Sequence, residues 1–257
     1  MKTDERHRTI AALLRQRHEV TVEELMVACD ASGATIRRDL EALAANGVLR
    51  RIHGGARSLI GRGENPGYGQ RELEDQDGKR RIAAAVAGLL GDREHVWLDS
   101  GSTATEVARA VQAKELTLMP MSLRALNVLA GGESAAGTRP ALLLPGGSLV
   151  PGELSFRGPL AESNIRSLRF DTAVVTPCAV DLKAGLLAHD IEDAAVKRAG
   201  VESAARVVVA ASAAKWDAQA RALVAGLERV DILVTDKNFS AEERAQLEKF
   251  SLEVVTV

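Results

Sequence analysis

Two pairs of arginines and one run of small hydroxylated residues carry most of the chemistry in this chain. Arg37-Arg38 and Arg50-Arg51 stand thirteen residues apart. A guanidinium fork matches phosphate oxygens and the O6/N7 edge of guanine, so paired arginines suit nucleic acid. Further on, Asp99, Ser100, Gly101, Ser102 and Thr103 form a different kind of site. A glycine that lets backbone come close, hydroxyl donors and a helix beginning at once afterwards make a cradle for a phosphate. The run is no P-loop, because no Gly-Lys-Ser/Thr follows it, and the chain lacks the G-x-G-x-x-G dinucleotide fingerprint.

The arginines need elements to aim them. Residues 6–16 place Ile10, Leu13 and Leu14 at helical spacing. Thr21 with Glu24 has the capping-box pattern for a second short helix, with Leu25 and Ala28 as its inward face. After a turn at 30–33, Ser32 caps a third helix that Gly47 closes, with Ile36, Leu40 and Leu43 as its buried stripe. Arg38, Ala34 and Ala45 point away from that stripe, with Glu41, Arg37 and Thr35 towards its flanks. Residues 48–52 then alternate like a strand and run into His53, Gly54 and Gly55. Helix, turn, helix and hairpin in this order make a winged helix, whose third helix fits a major groove ~12 Å wide. The expected DNA contacts are Ser32, Ala34, Thr35, Arg37 and Arg38 on the helix, with Arg50, Arg51 and His53 on the wing.

Residues 58–78 are rich in glycine and polar side chains without a sustained period, and read as a linker between a head at 1–57 and a larger domain at 79–257. In that larger domain, apolar runs at 95–99, 116–119, 141–144, 171–176, 207–211, 232–235 and 252–257 alternate with helix-like stretches. The pattern predicts an α/β fold with a mostly parallel sheet covered on both faces, whose ligands sit at the carboxyl ends of the strands. Ser122, Gly146 and Gly147 follow the second and third runs, and Thr176 with Cys178 the fourth. Ser212 and Lys215 follow the fifth, and Lys197 lies one helical turn after Asp193. For Lys197, a solvated pair with Asp193 and a phosphate counter-charge are both open.

The string TIRRDLEALAANGVLRRIHGGA resembles the N-terminal signature of DeoR-type bacterial transcription regulators, and the likeness runs through the whole chain. The resemblance implies a C-terminal fold similar to ribose-phosphate isomerases and CoA transferases that senses phosphorylated sugars or related metabolites. It implies effector contacts at Asp99, Ser100, Gly101, Ser102, Thr103, Ser122, Gly146, Gly147, Lys197 and Lys215. It also implies double-stranded operator DNA as partner, a homo-oligomer of at least two chains, and repression of a carbohydrate operon relieved by the effector. Two stretches depart from the family pattern. Pro120, Met121 and Ser122 replace a common Thr-Asn-Ser, and Ala213, Ala214, Lys215 and Trp216 replace the usual Ser-Lys-Phe setting.

Composition bounds the alternatives. Among 257 residues the formal charge is -2, with ten basic against eight acidic side chains in residues 1–60 and 23 against 27 in the rest. Two distant cysteines, Cys29 and Cys178, fit a reducing cytoplasm better than a disulfide framework, and no run approaches the ~18 apolar residues of a membrane span. The five histidines are scattered and no C-x-x-C occurs, so neither a metal nor a cofactor is expected. The competing reading is a sugar-phosphate isomerase with an appended DNA-binding head, using Asp99, Asp171 and Lys197 as carboxylates and lysine. A DNA-reading head has no use in an isomerase, so no catalytic residues are assigned.

Overall fold

The computed structural model describes residues 1–59, 67–131, 139–216 and 218–257, with Arg15 and Gln16 known by backbone alone. The chain divides into two units, Met1–Gln76 and Asp77–Val257.

The first unit runs α1 (Thr3–Arg17), β1 (Glu19–Thr21), α2 (Val22–Cys29), α3 (Gly33–Ala45), β2 (Leu49–Ile52), β3 (Gly55–Ser58) and α4 (Tyr68–Leu73). The Thr21 and Glu24 side chains cap each other's backbone N–H groups at α2. The Ser32 hydroxyl accepts from Thr35 N at 3.2 Å to start α3. Ile36, Leu40 and Leu43 face a core with Ile10, Leu14, Leu25 and Val48. On α2 the inward residue after Leu25 is Cys29, while Ala28 is exposed. The spacing of four keeps both side chains over one face, where three turns Ala28 aside.

Residues 20–22 interrupt the helices because β1 joins the wing, giving a three-stranded antiparallel sheet ordered β1-β3-β2. Gly55 is required where the strands meet, since a Cβ there would collide with the Val20 carbonyl oxygen. Within the stretch read as linker, α4 buries Tyr68, Gly69 and Gln70. A Cβ on Gly69 would lie 2.6 Å from Asn46 O and 2.9 Å from Val48 Cγ2, so α4 lies directly against the end of α3 and the start of β2. Within that stretch, residues 60–66 lie outside the described residues.

The second unit continues α5 (Gln76–Leu89), β4 (His95–Leu98), α6 (Ser102–Ala110), β5 (Thr117–Pro120), α7 (Leu123–Gly131), β6 (Ala141–Leu142), β7 (Ser148–Leu149), β8 (Phe156–Arg157) and α8 (Pro159–Arg166). There follow β9 (Phe170–Val175), β10 (Ala179–Asp181), β11 (Gly185–Ala188), α9 (Ile191–Glu202), β12 (Ala204–Ala210), β13 (Ala222–Ala225), β14 (Ile232–Thr235), α10 (Ala241–Leu247) and β15 (Glu253–Thr256). Seven strands form one parallel sheet in the order β15-β14-β12-β9-β4-β5-β6. Each lies within or against one of the seven apolar runs.

Both faces are covered. Val96, Leu98, Val174 and Val208 pack with Ile82, Val86, Val107 and Leu129 of α5, α6 and α7. The alternate residues Trp97, Ala173, Val175 and Val209 pack with Ile165, Val196, Ala199 and Leu247 of α8, α9 and α10. β5 and β6 extend the sheet to one side of β4, while β9, β12, β14 and β15 extend it to the other. The strand order therefore reverses between β4 and β9, and the crevice beyond their carboxyl ends is where such sheets take ligands. Two small elements flank the sheet: the hairpin β7-β8 and the antiparallel sheet β10-β11-β13.

Candidate functional site

Each unit presents one surface with chemistry. On the first, α3 exposes Ala34, Arg37, Arg38 and Glu41. Arg37 and Arg38 have no ion-pair partner among the described residues. Ser32 and Thr35 share a hydroxyl contact of 2.9 Å at the helix start, so Ser32 is engaged as the cap. In the wing, alternation along β2 sends Arg50 and Arg51 to opposite faces. Arg51 meets Glu41 of α3 at 2.8 Å, which puts it on the same surface as the helix. Arg50 lies opposite Arg57 in the hairpin, and Arg57 pairs with Glu19. His53 is exposed at the tip, where Gly54 turns with φ +76°. A second acidic residue of α3, Asp39, is buried and turned toward α1.

On the second unit, the ends of β4 and β9 meet a turn of α9. Asp99 and Lys197 are almost wholly buried, with Lys197 Nζ 2.6 Å from Asp99 Oδ2. The same ammonium lies 3.3 Å from Thr176 O and 3.7 Å from Asp193 Oδ1. Asp99 Oδ2 also accepts from Thr176 N at 2.8 Å, Oδ1 accepts from Ser100 N at 2.7 Å, and the Thr176 hydroxyl donates to Ser100 O at 2.5 Å. Burial pushes the Asp99 carboxyl upward, against the pull of Lys197 and Thr176 N–H. Burial would lower the Lys197 ammonium, but the Asp193 and Asp99 carboxylates outweigh it and hold it above its ordinary value. Three N–H donors on one carboxylate and three oxygens around one ammonium suit an ionised pair. Lys197 is thus neither solvated nor free: it ties α9 to the loop after β4.

That loop opens α6. Gly101 has φ +109° and stands at the N-cap without a side-chain cap, so the first-turn N–H groups at Ser102 and Thr103 have no side chain in their way. The same holds at α8, where Gly158 has φ +94° and no side chain caps the helix. By contrast, side chains cap α2, α3, α9 and α10. Gly146 and Gly147 both have positive φ and press against β8 and α8: a Cβ on Gly147 would strike Arg157 O and crowd Ala161 Cβ, and Asn164 Nδ2 donates to Pro145 O at 3.0 Å. Ser122 is fully buried, and its hydroxyl accepts from Ala125 N at 3.2 Å, capping α7.

Lys215 lies in a 3-10 turn, and burial pushes the Cys178 thiol up against the pull of Lys197 and Lys215. Trp216 packs edge-on against Phe239, with ring centroids 4.9 Å apart. Asp171 does not join this group. It lies at the amino end of β9, where its Oδ2 accepts from His95 N at 2.8 Å, so the carboxylate pair of an isomerase is not assembled from Asp99 and Asp171.

Sequence reasoning passed over Arg157. Its guanidinium pairs with Asp190 at 2.7 Å and lies 3.8 Å from Asp193, extending the charged network from α9 to the edge of the α8 turn. Nothing in a two-residue strand signals this. Among the described residues, no three His, Cys, Asp or Glu side chains converge as metal ligands, and no helix is long and apolar enough to cross a membrane.

Comparison with known proteins places both units. Residues 6–60 match the model of the DeoR-like helix-turn-helix domain, and residues 74–237 match that of the DeoR C terminal sensor domain. The HTH-type transcriptional regulator GlpR of Haloferax volcanii is 33% identical over 98% of this chain and 96% of its own length. The transcriptional repressor AccR of Agrobacterium fabrum is 33% identical over 91% of this chain and 90% of its own. The glycerol-3-phosphate regulon repressor of Haemophilus influenzae is 32% identical over 96% and 97%. Among solved structures, ribose 5-phosphate isomerase A of Methanocaldococcus jannaschii aligns over 56% of this chain and 55% of its own, with 15% identity and a TM-score of 0.40.

Proposed function

The chain belongs to the DeoR family of transcriptional regulators, and from that premise we propose that it represses a carbohydrate operon and is released by a phosphorylated sugar or polyol. The observation that carries the effector half is the α6 turn at the switch point between β4 and β9. There Gly101 leaves the helix start uncapped, and Asp99, held by Lys197 and Thr176, fixes the loop. A phosphate at that turn would take the N–H groups of Ser102 and Thr103 and the favourable end of the helix dipole. Ser100, Ser102, Thr103, Gly146 and Gly147 are the residues assigned to direct contact. Asp99 and Lys197 are assigned to holding the cradle, since their own bonds are taken. Ser122 is assigned to the α7 cap, and Lys215 to the rim.

The DNA half rests on Arg37 and Arg38 of α3, with Arg51 and His53 of the wing. The Arg51–Glu41 pair is exposed, and such pairs are worth ~0–1 kcal/mol, so a DNA phosphate can replace Glu41 as partner at little cost. Two chains in a homo-oligomer would place two such heads on repeated half-sites.

The test uses purified full-length protein. Phosphorylated sugars and polyols, beginning with glycerol 3-phosphate because one relative's name refers to it, are screened by thermal shift. A ligand at ~100 times its dissociation constant stabilises by ~2.7 kcal/mol. The Ser102→Glu variant, which puts a carboxylate at the α6 turn, is expected to lose the shift and the release from DNA while still binding DNA. A normal shift in that variant removes the cradle from the mechanism.

A further inference from the structure

The first unit contains a buried ionic clamp that the DNA contacts do not use. Asp39 lies one residue after Arg38 on α3, yet its carboxylate turns inward and is 5% exposed. Arg6 of α1 grips it with two parallel bonds, Nε to Oδ2 at 2.7 Å and Nη2 to Oδ1 at 3.0 Å. The Nε2–H of His7 reaches the same Oδ1 at 3.1 Å. The remaining Arg6 nitrogen donates to Met1 O at 3.0 Å, and Nη2 lies 3.3 Å from the Thr3 hydroxyl, so the guanidinium is itself fixed in the first turn of α1.

Apolar packing of Ile36, Leu40 and Leu43 draws α3 onto α1 and α2, but that force has no direction, and such a contact tolerates rotation and sliding. A two-bond guanidinium–carboxylate fork is planar and directional. It is anchored next to Arg38, the residue whose placement in a groove matters most. A side chain reading a base edge must arrive within a fraction of a hydrogen-bond length. We propose that Asp39, held by Arg6 and His7, is the positioning residue that sets the rotation of α3, so that the clamp governs which DNA sequence is preferred rather than how strongly DNA is held. The proposal rests on the reading that α3 enters the groove.

Three explanations of the buried carboxylate predict different outcomes. A clamp that only adds stability changes melting and leaves preference intact. A charge that only repels DNA raises affinity for every duplex alike when it is removed. A clamp that positions α3 changes the ratio between right and wrong sequences.

The probes are a duplex enriched from a random-sequence pool by the wild-type full-length protein and a scrambled duplex of equal length, titrated at one salt concentration. Arg6→Lys keeps the charge opposite Asp39 but loses the fork, and its ratio of affinities should fall at least threefold. Asp39→Asn should lower the ratio tenfold or more, with affinity for the scrambled duplex unchanged or raised. Should Asp39→Asn fail to fold, the double variant Arg6→Met with Asp39→Leu removes both charges of the part-buried pair at once and should melt near wild type with its preference lost. An unchanged ratio in folded Arg6→Lys overturns the proposal, and so does an equal rise for both duplexes in Asp39→Asn. Arg38→Ala is the control: if it too leaves the ratio unchanged, the fault lies in the reading of α3 and not in the clamp.

Discussion

Replacing Lys197 by methionine would leave the Asp99 carboxylate buried with its strongest partner gone. Such a loss costs ~3–5 kcal/mol, because the remaining charge has neither water nor a counter-ion. For a domain of about 180 residues each kcal/mol is worth roughly 2–4 °C, so Lys197→Met should lower the melting temperature of the second unit by roughly 6–20 °C. A change under about 2 °C, by calorimetry, would show that the pair contributes little to the fold. The same geometry explains what the sequence could and could not disclose about single residues. The spacing of Asp193 and Lys197 is visible, and it suggests either a solvated pair or a phosphate counter-charge. The actual partner, Asp99, lies 98 positions away and is reached only because α9 crosses over the end of β4. Asp39 and Arg6 are 33 positions apart, and nothing local to RRDL names the partner of its aspartate. Helical period alone does place Asp39 beside Ile36, Leu40 and Leu43, so a charged residue on the buried stripe was the available signal.

At the scale of elements, α9 carries the pairing lysine, and its seat is set by one glycine. A Cβ on Gly200 would lie 2.6 Å from the Trp97 ring, which is fully buried in β4. On an exposed helix, glycine to alanine gains ~1 kcal/mol. Here the sign reverses, since overpacking a core costs ~1–3 kcal/mol, and lifting α9 off β4 also pulls Lys197 from Asp99. Gly200→Ala should therefore melt below wild type, and adding Trp97→Leu should recover part of the loss; a more stable single variant would refute this account. The seven strands of the main sheet were legible because Val- and Leu-rich runs buried on both faces stand out between amphipathic helices. The pieces that escaped are short. β7 and β8 have two residues each, and β1 has three, too few to show any period. α4 completes little more than one turn, and its anchor is the close approach of Gly69 to Asn46 and Val48 rather than an apolar stripe. β10, β11 and β13 are recognisable only through their pairing, which joins residues up to about forty positions apart.

For the whole molecule, the two surfaces matter only if they are coupled, and coupling has a thermodynamic signature that needs no knowledge of how the units are arranged. If a phosphorylated effector lowers the affinity for an enriched duplex by some factor, the duplex must lower the affinity for the effector by the same factor. A coupling of ~1–3 kcal/mol corresponds to roughly 5- to 150-fold. Both arms can be measured on one sample, by titrating DNA at saturating effector and effector at saturating DNA. Equal factors of this size are expected for wild type. Lys197→Met bears on the same point, since it loosens the loop without removing the first-turn N–H groups of α6. A variant that still binds effector but shows a factor near one would place Lys197 in the link between the sites. A variant that binds effector weakly with an unchanged factor would confine Lys197 to the cradle. Should wild-type protein bind both partners with no mutual effect, release by the effector is ruled out whatever the affinity of either site, because a ligand that binds both states equally shifts neither.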